Sequence, residues 1–275
     1  MDILNQLPAR RFREADDLLA FISIYDDTRR TRAFRALLRA HQKQIHGAVC
    51  AEGGCGLGLL AVEMAKLGAR QVYAVEQNPL LAKLARQRIS LLPKSVARRI
   101  EVIEMPLQEF RPPEKIEVLV HEFYGQLLYD EDLWVLENLK FKPKLVLPDG
   151  GELLAGMVAS ERYADNVVTI TLLKSLEGAL VAGLFEEKLD ELQFPVLRWK
   201  FGQGLRQIKN GLGTRQGDLL CFGVAVTHRG WRICEAGRCP NWSYVWTPRA
   251  GDRFAFQFRP DAENGGTACD FRWLK

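Results

Sequence analysis

The stretch AVCAEGGCGLGLLAVEMAKLGARQVYAVE, residues 48–76, reads as a short apolar strand, a glycine-rich turn, a helix ending at Gly68 and a second apolar strand. Short continuous apolar runs suit strands buried on both faces, the habit of parallel sheets. The same rhythm continues outward. PLLAKLARQRISLL (79–92) is predicted helical and stopped by Pro93. RIEVIEM (99–105) and IEVLVHE (116–122) are predicted strands, and DEDLWVLENLKF (130–141) a helix. This alternation predicts a Rossmann-like α/β domain over 48–150, whose ligands bind beyond the carboxyl ends of the strands.

Residues 1–47 are predicted to form a helical segment covering that ligand, with Leu18, Leu19, Phe21, Ile22, Phe34, Leu37 and Leu38 on apolar stripes. LVLPDGGELL (145–154) marks a boundary. Beyond it VVTITLL, LLCFGVAVTH, WSYVW and RFAFQF read as extended runs, parted by turns such as Asn210-Gly211 and Gly217-Asp218. They predict a β-rich partial barrel over 151–275, assigned to the substrate.

Of 275 residues, 47% are hydrophobic and 26% charged, an ordinary soluble composition, and the net charge of +4 does not by itself point to nucleic acid. Basic residues crowd the start: Arg10, Arg11, Arg13, Arg29, Arg30, Arg32, Arg35, Arg39 and Lys43. They read as a solvated helix face, or as a surface that meets an acidic partner or holds an anionic cofactor end. Six cysteines show no C-x-x-C pair. Cys234, Cys239 and His228 do not complete a four-ligand metal site, so six free thiols in a reducing compartment and no metal are expected. No run reaches the roughly 18 apolar residues of a membrane span, and MDILNQLPARRF lacks a signal-peptide core, so a cytoplasmic protein is expected.

Three ligand handles can be read from the first domain. Gly54, Gly56 and Gly58 form G-x-G-x-G, which lets a ligand approach the backbone, but Leu59 breaks the dinucleotide fingerprint. Glu76 ends the second strand, where a carboxylate can accept both ribose hydroxyls. Glu52, two residues before Gly54, suits an ammonium, and Arg30 suits a carboxylate as a bidentate clamp. Ammonium, carboxylate and ribose handles on one ligand describe S-adenosyl-L-methionine. Glu122 and Glu131 lie nine apart across a loop centred on Gly125, and paired carboxylates suit a planar cation such as a guanidinium.

With these motifs the chain resembles the protein arginine methyltransferase family over nearly its whole length. DDTRRTRAF is similar to the family's cofactor-covering helix, AEGGCGLGLLA and QVYAVE to its first two cofactor motifs, and VIEMPLQEF to its third. HEFYGQLLYDEDLW resembles its double-glutamate loop, and GDRFAFQFRPDAENGGTACDF its closing barrel strands. The resemblance implies catalytic roles for Glu122 and Glu131. It implies cofactor contacts for Arg30, Glu52, the three glycines, Glu76, Leu107 and Gln108, the last two beside adenine. His121, Tyr124 and Trp242 are candidate substrate contacts: His121 is expected to fix Glu122, and Trp242 either walls the substrate pocket or belongs to the core. The family's Thr-His-Trp loop reads Pro240-Asn241-Trp242 here, and its dimerisation arm has little room between Pro148 and Trp242. The implied activity is N-methylation of a guanidino nitrogen in protein, peptide or free arginine, by a monomer or a dimer formed without that arm. A nucleic-acid methyltransferase and a catalytically weak cofactor-binding interaction module are the alternatives. The first lacks a base-amine motif, and two loop acids would repel phosphate.

Overall fold

A computed structural model describes residues 8–185, 188–208, 210–240, 242–260 and 267–274, without the side chains of residues 9, 10, 12–14, 16 and 17. The side chains of Arg10 and Arg13, all of Asn241 and the middle of the run 251–271 therefore lie outside what is described. Contacts divide the chain into two units, residues 1–122 with 138–148, and residues 123–137 with 149–275. The loop that follows Glu122 thus belongs with the second unit.

The first unit opens with helices α1 (Ala9–Asp26), α2 (Thr28–Ala40) and the single turn α3 (Gln42–Ile45). It continues as β1 (Val49–Gly53), α4 (Leu59–Lys66), β2 (Gln71–Glu76), α5 (Pro79–Ser90), the short α6 (Lys94–Ala97), β3 (Ile100–Glu104), β4 (Val118–His121) and β5 (Leu145–Leu147). The strands pair in parallel in the order β3-β2-β1-β4-β5. Every residue of β1 and β4 is buried, as expected of strands covered on both faces. Local signals fix the helix ends. Asn78 caps α5 by accepting from Leu80 N and Leu81 N, and Pro79 takes the first helical position, where its missing N–H costs nothing.

The second unit holds β6 (Gly150–Val158), α7 (Ile170–Lys174), β7 (Val181–Ala182), β8 (Phe194–Lys200), β9 (Gly204–Gln207), β10 (Leu219–His228), β11 (Trp231–Glu235), β12 (Val245–Pro248), β13 (Arg253–Pro260) and β14 (Thr267–Leu274). An antiparallel sheet runs β7-β12-β10-β6-β8-β9, with β11 on β10, and β13 and β14 form a separate hairpin. Phe222 of β10 meets Phe254, Phe256 and Phe271 edge to face, so one aromatic cluster joins hairpin and sheet.

Three expectations fail. VVTITLL is not a strand: Thr169 caps a helical turn over Ile170–Lys174 by accepting from Leu172 N, and this local cap outweighs the β-branched composition. DEDLWVLENLKF forms only a 3₁₀ helix over Asp132–Glu137. Cys234 and Cys239 are not free thiols but a disulfide, with Cα atoms 6.4 Å apart. Cys50, Cys55, Cys221 and Cys269 remain free, and the argument for a reducing compartment loses two of its six cysteines. Among the described residues no helix is long and apolar enough to cross a membrane, and no His, Cys, Asp or Glu cluster could hold a metal.

Candidate active site

The strand order β2-β1-β4 sets three carboxylates side by side at one edge of the sheet: Glu76 ends β2, Glu52 lies in β1, and Glu122 follows β4. Crossovers leave β1 in opposite directions here, the switch point at which open α/β sheets receive ligands. Gly54, Gly56 and Gly58 have φ of +62°, +52° and +71°, a region that side chains with a Cβ enter at a cost. The turn they make is tied down by Cys55 N donating to Val75 O (3.0 Å) and Gly58 N to Cys55 O (2.7 Å).

The carboxylates also brace the turn. Glu76 accepts from Gly56 N at 2.7 Å with one oxygen and from Asn78 N at 2.9 Å with the other. Glu52, only 4% exposed, accepts from Leu60 N (3.2 Å) and Ala61 N (2.6 Å), so its two oxygens sit at the N-terminus of α4. The ammonium handle expected of Glu52 is therefore, in this structure, a helix cap. A carboxylate keeps about four acceptor sites, so both acids retain capacity for a ligand. Burial pushes the Glu52 carboxyl up to about 8; the two backbone donors pull it down, and the charges of Glu122 and Glu76 raise it further.

Arg30 stands in the first turn of α2, where Asp27 caps the helix by accepting from Arg30 N at 2.9 Å. Its buried guanidinium pairs with the Glu122 carboxylate. The expected ligand clamp is here a partner of the expected catalytic acid. Burial raises the Glu122 pKa and Arg30 opposes the rise. His121 is fully buried with Nε2 2.9 Å from Pro148 O, and desolvation lowers its pKa to about 4, so it is a neutral anchor at the end of β4. A cavity of about 80 Å³ is lined by Glu52, Gly54, Cys55, His121, Glu122 and Phe21, among others. Phe21 of α1 roofs the turn: its ring lies 2.6 Å from the place a Cβ on Gly56 would take. Leu107 is buried and Gln108 half-buried in a 3₁₀ turn directly after β3, close in sequence to Met105, whose N–H donates to Glu76 O. Sequence reasoning missed the parts of Asp27 and Phe21; the Asp-Thr start of α2 was the available signal for the first.

Glu131 lies in the second unit and is exposed, its carbonyl accepting from Thr267 Oγ1 at 3.0 Å. Its loop is tight. Gly125 bridges Leu128, Asp130 accepts from Leu127 N at 2.9 Å, and the Asp130 carboxylate fills the space a Cβ on Gly125 would need. Tyr124 and Trp242, the candidate substrate contacts, are buried within the second unit, the core outcome for Trp242. Tyr124 is fully buried, its hydroxyl donates to Gly150 O, and Trp242 Nε1 donates to the Tyr124 carbonyl at 3.2 Å. Both hold the loop in place from behind.

No protein-family model matches the chain. Over 149 residues it is 33% identical to a probable protein arginine N-methyltransferase 6.1 of Oryza sativa, covering 51% of this chain and 38% of that protein. Over 152 residues it is 32% identical to protein arginine N-methyltransferase 6 of Danio rerio, covering 52% and 42%. The structure superposes on the Trypanosoma brucei PRMT1 enzyme-prozyme complex with a TM-score of 0.65 at 16% identity, covering 89% of both chains. Against Arabidopsis thaliana protein arginine methyltransferase 10 the TM-score is 0.63 at 16% identity, covering 91% and 95%. This chain has the fold of the protein arginine methyltransferases. Its matches span about two-fifths of the length of these curated relatives.

Proposed function

We propose that the chain is an S-adenosylmethionine-dependent N-methyltransferase that acts on a guanidino nitrogen of arginine, in a protein, a peptide or a free derivative. The observation that carries this reading is the gathering of Glu52, Glu76, Glu122 and Arg30 around one glycine turn at the switch point of the sheet. Of these, Glu52 and Glu122 line the cavity, and carboxyl groups there suit a ligand carrying an ammonium and a sulfonium. The names of the sequence relatives support the same chemistry. The cofactor supplies an electrophilic methyl group. Arg30 would hold its carboxylate, Glu52 its ammonium and Glu76 its ribose, with Leu107 and Gln108 beside the adenine.

A free guanidinium is a poor nucleophile, because its lone pairs are delocalised and its charge repels a sulfonium. Glu122 accepts from it, offsets that charge and localises electron density on one terminal nitrogen. The role of second acceptor, and of first base for the released proton, falls to Glu131. Orientation of this kind is worth on the order of 7–11 kcal/mol when the reacting atoms are held in line. Incubation with labelled cofactor and a panel of arginine, arginine peptides and total RNA, followed by mass spectrometry, tests the proposal. Methylated arginine is expected. Label in RNA alone would make the chain a nucleic-acid methyltransferase, and cofactor binding with no product an interaction module.

A further inference from the structure

A second cavity, of about 270 Å³, shares Phe21 and Leu59 with the first and is otherwise lined by Ile22, Tyr25, Arg35, Leu57 and Arg88. Its charge is one-sided: two arginines line it and no acid does. Arg88 spends Nη1 on the carbonyls of Leu57 (2.8 Å) and Gly58 (3.4 Å), and among the described residues it has no carboxylate partner. Arg35 is little better served. Its Nε is buried with no hydrogen-bond partner, and the Glu63 oxygen it pairs with is 3.8 Å away, beyond hydrogen-bond reach. Glu63 is shared besides with Arg39, at 3.2 Å. An unmet buried donor on a cation costs stability unless something accepts from it. The remaining walls are apolar but for the Tyr25 hydroxyl. Ile22 and Tyr25 are 44% and 54% exposed, unusual for large side chains on a helix that packs against its domain.

We propose that this cavity is a binding site for a small apolar anion, a carboxylate or phosphate monoester on a short hydrocarbon body. The anionic head would lie between Arg35 and Arg88, whose planar guanidinium groups match either oxyanion. The hydrocarbon would cover Ile22, Tyr25 and Leu57. A volume just under the usual range of ligand pockets, roughly 300–1,000 Å³, limits the ligand to something smaller than a nucleotide. Phe21 belongs to both cavities, so an occupant here holds α1 over the glycine turn. The site does not depend on the methyltransferase reading, since Glu52, Glu76 and Glu122 are not among its lining residues.

Calorimetry and thermal unfolding of the whole chain with decanoate, decyl phosphate, decanol and inorganic phosphate test the site. Decanoate or decyl phosphate should bind one to one and raise the unfolding midpoint, and which of them binds tighter identifies the preferred head group. Decanol and inorganic phosphate should bind at least tenfold more weakly. Arg35→Gln should weaken binding roughly tenfold to a hundredfold, the scale of one charge-assisted hydrogen bond. Ile22→Trp should abolish it by filling the cavity while leaving both arginines in place. Equal binding of decanol, or unchanged affinity in both variants, would overturn the assignment. Should Arg35→Gln fail to fold, Ile22→Trp and the decanoate-decanol pair decide alone.

Discussion

Glu52 shows what a residue gives up to be in position. Its carboxyl is raised to about 8 from an ordinary value near 4.5, and His121 is lowered to about 4 from 6.5. A raised acid binds its proton more firmly when folded, so its contribution to stability is full below 4.5 and is lost as pH climbs to 8. The depressed His121 acts oppositely: its contribution is present above 6.5 and lost as pH falls to 4. The two partly cancel below 6.5, leaving the window from 6.5 to 8 to Glu52. Urea unfolding should therefore show stability falling across that window, and Glu52→Gln should flatten the slope. A flat wild-type profile would mean that Glu52 is ionised throughout. On the proposed reading, Glu76 serves cofactor binding and Glu122 serves turnover, and variants of each separate the two. Glu76→Ala should weaken cofactor binding by about 1–3 kcal/mol, read by calorimetry. Glu122→Gln should cut turnover by about 100-fold, the scale of losing one preorganised electrostatic partner. Since Glu122 also neutralises Arg30, its variant needs a cofactor-binding control.

At the scale of elements, α1 and the glycine turn form a lid and a floor. The cavity between them, about 80 Å³, is far smaller than the roughly 300 Å³ at which ligand pockets begin. On the proposed reading, Phe21 has to leave Gly56 before the cofactor's nucleoside can enter. Phe21→Ala should speed cofactor association in stopped-flow measurements, with the largest change in the on-rate; an unchanged on-rate would show that α1 is not the gate. Gly56→Ala tests the floor. It places a Cβ at φ +52° and against the Phe21 ring, so a loss of about 1–2 kcal/mol from backbone strain alone is expected in denaturant unfolding. The Cys234–Cys239 disulfide closes a loop with a sequence separation of five. Chain-entropy arguments give about 2 kcal/mol for so short a loop, and Cys234→Ser should lose about that much.

For the whole molecule the open property is assembly. The exposed side of α2 and α3 carries Arg29, Arg32, Arg39 and Lys43 at helical spacing, Arg39 paired with Glu63 of α4, and no acid occurs in the sequence between Asp27 and Glu52. Two such faces repel each other at low salt, and a stable contact needs about 1,000 Å² of buried surface. Light scattering from low to high ionic strength is expected to report a single chain. A dimer that holds at every salt concentration would place the contact elsewhere on the surface.

The sequence by itself determined the alternation of strands and helices in the first unit, because burial on both faces demands continuous apolar runs and G-x-G-x-G demands positive φ. It also determined which acids stand at strand ends, since strand length fixes where Glu76 and Glu122 fall. What it did not determine is what those acids touch. Glu52 caps α4, Glu76 fastens the turn, and Arg30 and Glu122 neutralise each other, all contacts between residues eight to ninety-two positions apart. Composition likewise misled at VVTITLL, where one threonine cap decided for a helix, and at Cys234 and Cys239, which only the turn after β11 brings together. Tyr124 and Trp242 went inside because the loop after Glu122 packs on Gly151 and its Tyr124 carbonyl accepts from the Trp242 indole N–H. A linear pattern records which residues prefer burial; which partner satisfies each buried polar group is settled only when distant segments close around it.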